Sequence, residues 1–299
     1  MVIEGILPAI ITPMDDNEHL NLHELAVQIH RQLNAGVNGI FCLGTNGEFY
    51  SLNEQEKLQV IAKTCDVVKK QVPVIAGVGC ITTRETIRLA QEAENIGVDA
   101  VSVITPYFIK CSQDDLLKHY TAVAEAVKLP VFLYAIPART TNDIEPETLE
   151  ILAKIDNIVA IKDSSGDFEK VKKYIEVSKN REDFAVFLGT DSLILEGLMN
   201  GAVGSLSGLA NVAPELICNI YNSYKNHDLE AAKRYQEQTI ELRKILQLGN
   251  PNSMTKRAVR LLGFPVGPCR EPANIADADI DEQIRQILTG LQLMSYTKS

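Results

Sequence analysis

Eight short apolar runs recur along the chain, each separated from the next by a segment of helical period. They cover residues 5–12, 39–45, 73–79, 100–107, 130–137, 158–164, 184–191 and 202–207. The runs are rich in Val and Ile and do not alternate cleanly with polar residues, the pattern of parallel strands covered on both faces. The intervening segments carry helix start and stop signals. Residues 51–54 (SLNE) and 82–85 (TTRE) fit the Ser/Thr-x-x-Glu capping box. Leu22, Leu25, Ile29 and Leu33 keep helical spacing, and Gly36 and Gly97 stand where helices stop. This alternation predicts an α/β fold, a (β/α)8 TIM barrel with a C-terminal helical extension. An open doubly wound sheet shares the pattern, because periodicity cannot see closure. No Gly-x-Gly-x-x-Gly follows the first run, which weakens a dinucleotide-binding version. After Pro214 the runs stop, and residues 215–224, 228–248, 253–262 and 277–293 read as helices. The expected division is a barrel over residues 1–225 and a helical region over 226–299.

Composition narrows the function classes. With 299 residues and 45% hydrophobic content the chain can bury a large core. The net charge is −10 and no Lys/Arg-rich run stands out, which argues against a nucleic-acid partner. No apolar stretch approaches the roughly 20 residues of a membrane span. The apolar run 6–11 is short, follows Glu4 and lacks a positive leader, so it makes a poor signal peptide. The six cysteines are scattered with no Cys-x-x-Cys spacing, and mostly buried free thiols in a reducing cytoplasm are expected.

The sixth run holds an oddity. Ile158 to Ile161 are apolar, and Lys162 follows directly. Alternation puts Ile158, Ala160 and Lys162 on one face. If that face points into the barrel, Lys162 stands at the catalytic mouth, and loss of hydration favours the neutral, nucleophilic amine. Read alone, it is as well explained by a lysine that snorkels to solvent. Other strand ends change the balance. The second run ends in Gly44-Thr45-Asn46-Gly47-Glu48, whose glycines let backbone N–H groups converge on an anion such as a carboxylate; the bland reading is an ordinary turn. Tyr134, inside the fifth run, can pass protons beside such a lysine, or can be a core tyrosine. Tyr107 ends the fourth run, where packing is its simplest role.

At these residues the chain resembles the pyruvate-dependent class I aldolases of the dihydrodipicolinate synthase and N-acetylneuraminate lyase family. The resemblance spans essentially the whole chain. It rests on GTNGE at 44–48, TPYF at 105–108, YAIPART at 134–140, IKDSSGD at 161–167 and GAVGSLSGLANVAPEL at 201–216, in that order. It implies that Lys162 forms the Schiff base and that Tyr134 shuttles protons with Thr45 and Tyr107, Tyr107 reaching across a subunit contact. It also implies that Asn46 and the backbone at Leu206 hold the keto acid, and that Arg139 meets the distal carboxylate of a second substrate. Pyruvate and an aldehyde would be the small-molecule substrates, and a homotetramer the assembly. Three positions depart from the synthase pattern: Asn46 replaces Thr, Ala135 replaces Asn, and Phe49 resembles aldolases of 2-keto-3-deoxy sugar acids. The second substrate is therefore read as aspartate semialdehyde, with a sugar-acid aldolase as the alternative.

Rival chemistries fare worse. His19, His23, His30, His119 and His227 all fall on predicted helices or loops, away from strand ends, so no metal is expected. Asp163 and Asp191 do lie at strand ends, where capping or orienting neighbours explains them. Asp191 would also repel a phosphate at the seventh turn. A lysine that is itself the electron sink needs no cofactor. A silent binding relative would not need the Lys162, Tyr134 and Thr45 set.

Overall fold

Strand burial explains the missing alternation. A computed structural model of the protein, described here for residues 3–181, 183–273 and 278–296, contains eight parallel strands. They are β1 (Gly5–Pro8), β2 (Ile40–Cys42), β3 (Val74–Gly77), β4 (Ala100–Ile104), β5 (Val131–Ala135), β6 (Ile158–Asp163), β7 (Ala185–Leu188) and β8 (Gly204–Ser207). Nearly every strand residue is buried, because helices cover the outside and side chains fill the inside. The sheet runs β1-β8-β7-β6-β5-β4-β3-β2. A parallel bridge between Ala9 and Phe41 and the bond from Ile10 N to Phe41 O (2.9 Å) bring its two ends together. The fold is a TIM barrel.

Two apolar layers result. Leu7, Phe41, Ile75, Phe132, Phe187 and Leu206 belong to the cluster inside the barrel, where the Phe132 and Phe187 rings stack 5.7 Å apart. Leu25, Ile29, Leu89, Leu116, Val171 and Ile217 belong to the outer layer between strands and helices. Around the barrel run α1 (Leu22–Asn34), α2 (Glu54–Val68), α3 (Thr83–Ile96), α4 (Gln113–Ala126), α5 (Pro137–Thr140), α6 (Pro146–Leu152), α7 (Phe168–Ser178) and α8 (Ile194–Asn200). After β8 follow α9 (Pro214–Lys225), α10 (Leu229–Arg243), α11 (Pro251–Leu261) and α12 (Ala278–Gly290). Proline opens α9 and α11, where its missing N–H costs no helical bond.

Several local expectations change. The cap of α2 is Asn53, not Ser51: Asn53 and Glu56 form the reciprocal box, while Ser51 closes a 3-10 turn. The expected cap at Thr82 and the stop at Gly97 hold. The expected helix 228–248 breaks into α10 and a 3-10 turn, Lys244–Gln247. The expected start of the last helix, Asp277, lies outside the described residues. Three of the six cysteines are buried and three are half-buried, and all are free thiols.

The sixth strand carries the most useful correction. Ile158 does not share a face with Ala160 and Lys162. The register with β5 shifts by one residue there: Val131 faces Ile158, whereas Phe132 faces Ala160. Ile158 therefore joins the outer layer, and Ala160 the inner one. Beyond the irregularity the alternation is regular, and it delivers Lys162 inward.

Candidate active site

Lys162 lies on the inward side of β6, in register with Tyr134 on β5 and Phe187 on β7. The residue is 4% exposed, which removes the snorkelling account. Its Nζ stands 4.1 Å from the centre of the Tyr134 ring and 5.1 Å from that of Phe41, and it forms no ion pair among the described residues. Gly189, at the end of β7, makes room for it. A Cβ on Gly189 would lie 2.8 Å from Lys162 Cε and 1.9 Å from Ser164 Oγ.

The Tyr134 hydroxyl lies 3.1 Å from Thr45 Oγ1. Tyr134 is almost fully buried, and its ring meets Phe41 edge-on. Thr45 is held through its carbonyl, which accepts from Asn252 Nδ2 at 2.7 Å and from Glu48 N at 3.1 Å. The Asn252 amide, from the first turn of α11, also reaches the Tyr50 hydroxyl at 2.9 Å.

The GTNGE turn is tighter than its glycines alone require. Leu43 and Glu48 bracket it at φ 57° and 55°. Gly47 N donates to Gly44 O, and Glu48 N to Thr45 O, so these two N–H groups are consumed within the turn. The N–H groups of Thr45 and Asn46 have no acceptor among the described residues. The expected anion site thus narrows to those two. Gly44 serves packing: a Cβ there would sit 2.6 Å from Phe41 Cε1. Gly208, after β8, lets the Asn46 side chain approach, since a Cβ there would lie 2.4 Å from Asn46 Nδ2.

Lys162, Tyr134, Thr45, Asn46, Leu206 and Arg139 line one cavity of about 200 Å³ at the C-terminal mouth of the barrel. Leu206 is wholly buried within the inner cluster. Arg139 is exposed on α5, and its guanidinium forms no hydrogen bond or ion pair among the described residues. Tyr107 is not brought in. It is half-buried, its ring rests edge-on against Phe49 at 5.7 Å, and burial pushes its phenol up to about 12.

Sequence reasoning missed Ser164, Gly189, Arg243 and Asn252, which line the same cavity. Ser164 falls within the IKDSSGD stretch without being singled out by it, and nothing in the local sequence marks Gly189, Arg243 or Asn252. Asp191 also lines it, as a buried carboxylate that accepts from Ser207 Oγ and from Leu209 N at 3.1 Å. Burial raises its pKa. It orients β8, as expected of a strand-end aspartate. Among the described residues no group of three His, Cys, Asp or Glu could hold a metal ion. A larger cavity of about 420 Å³ lies beside α1 and α9. Its Arg31 is tied to the carbonyls of Asn211 and Val212, away from any strand end that bears the amine.

Comparison with known proteins gives a consistent picture. The model of the dihydrodipicolinate synthetase family matches residues 2–291. A 4-hydroxy-tetrahydrodipicolinate synthase of Methanopyrus kandleri is 39% identical, over 98% of this chain and 97% of its own. An uncharacterized DapA-like lyase of Halobacterium salinarum is 37% identical, over 98% and 95%. Among solved structures, YagE, a prophage protein of this family from E. coli K12 in complex with pyruvate, superposes with a TM-score of 0.95. It shares 32% identity over 98% of this chain and 100% of its own.

Proposed function

The chain belongs to the dihydrodipicolinate synthetase family, is a class I lyase, and on that premise we propose that it condenses pyruvate with aspartate semialdehyde. The observation that carries the reading is the buried Lys162 amine, 4.1 Å from the ring of a tyrosine whose hydroxyl is hydrogen-bonded to Thr45.

The Lys162 amine attacks the keto carbon of pyruvate. Tyr134 protonates the oxygen of the carbinolamine, and water leaves as the imine forms. Tyr134 recovers its proton through the Thr45 hydroxyl. The keto-acid carboxylate is held by the N–H groups of Thr45 and Asn46 and by the Asn46 amide, above the apolar floor at Leu206. Loss of a methyl proton gives an enamine, which attacks the aldehyde carbon. Hydrolysis then frees the lysine. The protonated imine on Lys162 accepts the electron pair left by the methyl proton, so this sequence calls on no metal or organic cofactor.

Arg139 hangs over the mouth and grips the distal carboxylate of the aldehyde with paired hydrogen bonds. Its bland alternative, a surface salt bridge, loses support because it forms none among the described residues. The assembly is a homotetramer in the cytoplasm, in which Tyr107 completes the relay of a neighbouring subunit; its edge position on the single chain fits that role. The product feeds lysine biosynthesis.

A second reading has its own support. Asn46 and Ala135 depart from the synthase pattern, and Phe49 resembles the aldolases that cleave 2-keto-3-deoxy sugar acids to pyruvate. The two readings separate by assay. Turnover of pyruvate with aspartate semialdehyde, exceeding that of 2-keto-3-deoxy acids, supports the synthase; the reverse ranking supports the aldolase. Arg139→Ala adds a second arm. It should cost about 2–4 kcal/mol in kcat/KM with aspartate semialdehyde and little with a neutral aldehyde. Equal losses would remove the synthase reading's main support.

A further inference from the structure

The cavity carries a second guanidinium that the reading above does not use. Arg243 ends α10, is half-buried, and lines the same space as Lys162 and Arg139. Its guanidinium forms no hydrogen bond or ion pair among the described residues. A basic residue in the last turn of a helix is favoured by the helix dipole, and that is the structural account of its presence. The dipole does not explain why the group borders the catalytic cavity.

The local charge balance is unusual for this chain. The protein carries a net charge of −10, yet this cavity is lined by Lys162, Arg139 and Arg243 against the single carboxylate of Asp191. Asp191 is already occupied by Ser207 and Leu209. Arg243 and Lys162 both act favourably on the Asp191 carboxylate, but one carboxylate does not balance three cations on one small cavity. A ligand with two anionic groups resolves this. One, the keto-acid carboxylate, goes to the N–H groups of Thr45 and Asn46. The other must come from the second reactant.

Building on the pyruvate-condensing reading, we propose that Arg243 is a specificity-determining residue, which with Arg139 holds an anionic group on the aldehyde distal to its reacting carbon. The group is a carboxylate or a phosphate; both match the flat donor fork of a guanidinium. A lysine supplies the charge without the fork, which gives the argument a graded variant.

The test measures kcat/KM of wild type, Arg243→Gln and Arg243→Lys with pyruvate and three aldehydes. These are aspartate semialdehyde, glyceraldehyde 3-phosphate and neutral glyceraldehyde. For the preferred charged aldehyde, Arg243→Gln should lose about 10- to 100-fold, mainly through KM, the scale of a lost charge-assisted hydrogen bond. Arg243→Lys should recover part of it, and the ratio of charged to neutral aldehyde should collapse in the glutamine variant. Whichever charged aldehyde suffers the larger loss identifies the group held. Equal losses with charged and neutral aldehydes would overturn the inference, as would no loss with either charged one. Borohydride trapping of pyruvate separates the two failures. If wild type and Arg243→Gln both trap on Lys162 and the ratio does not move, only this inference falls. If wild type does not trap, the Schiff-base reading falls and takes this inference with it.

Discussion

Lys256→Met should be among the most damaging single substitutions outside the cavity. Lys256 and Glu48 form a buried ion pair: Nζ to Oε1 is 2.5 Å, with side chains 1% and 0% exposed. Lys256 Nζ also donates to Pro268 O at 2.9 Å, and Glu48 Oε2 accepts from Arg270 N at 3.1 Å. Glu48 closes the turn that bears Thr45 and Asn46, so the pair ties that turn to α11 and to the segment after it. Methionine matches the length of lysine but leaves the Glu48 carboxylate without its counter-charge in a dry site. The expected cost is about 3–5 kcal/mol, the scale for removing one partner of a buried pair. Glu48→Gln combined with Lys256→Met removes both charges and keeps the acceptor for Arg270 N. The double variant should be more stable than Lys256→Met, because the stranded charge is gone. Urea unfolding followed by circular dichroism reads both values. A loss below about 1 kcal/mol in Lys256→Met would refute the reasoning, as would strictly additive effects in the double variant.

Tyr134→Phe should lower turnover by about 10²–10⁴-fold while pyruvate binding survives better; full activity would make Tyr134 a packing residue. Gly189→Ala forces a methyl against Lys162 Cε and Ser164 Oγ, and turnover should drop by about 10²-fold for a displacement near 1 Å. Unchanged steady-state kinetics would show that the lysine has other room. His119 is buried, with Nδ1 2.9 Å from Thr83 Oγ1, and burial lowers its pKa to about 4. The unfolded state then binds more protons between pH 6.5 and 4, so stability falls as pH falls through that window. Its full contribution is about 3 kcal/mol. His119→Gln should flatten this part of the pH–stability curve, and a curve of unchanged slope would contradict the assignment.

The barrel was legible because its strands are short, apolar on both faces, and separated by helices with readable starts and stops. Lys162 was legible because an amine directly after Ile158–Ile161 needs a reason to be there. The face assigned to Ile158 was not, since the shift between Val131 and Phe132 is a property of pairing with β5. The cap of α2 moved from Ser51 to Asn53 because both fit a capping pattern, and only the path of the preceding turn decides between them. Gly189 and Gly208 have meaning only through what approaches their Cα atoms, Lys162 and Asn46. The helices after β8 read as an appendage, yet α10 and α11 bring Arg243 and Asn252 to the mouth. That placement depends on tertiary packing, which hydrophobic period does not encode. Tyr107 stays outside the cavity of a single chain, and the role proposed for it rests on an assembly that neither periodicity nor composition reveals.

The central claim is that the buried amine of Lys162 forms a covalent imine with pyruvate. Incubation of the protein with pyruvate and sodium borohydride, followed by proteolysis and mass spectrometry, tests it directly. The account predicts a reduced pyruvate adduct on Lys162, absent from Lys162→Ala and from Lys162→Arg, which cannot supply a neutral amine. An adduct on Lys110 instead, or none on wild type, would contradict it.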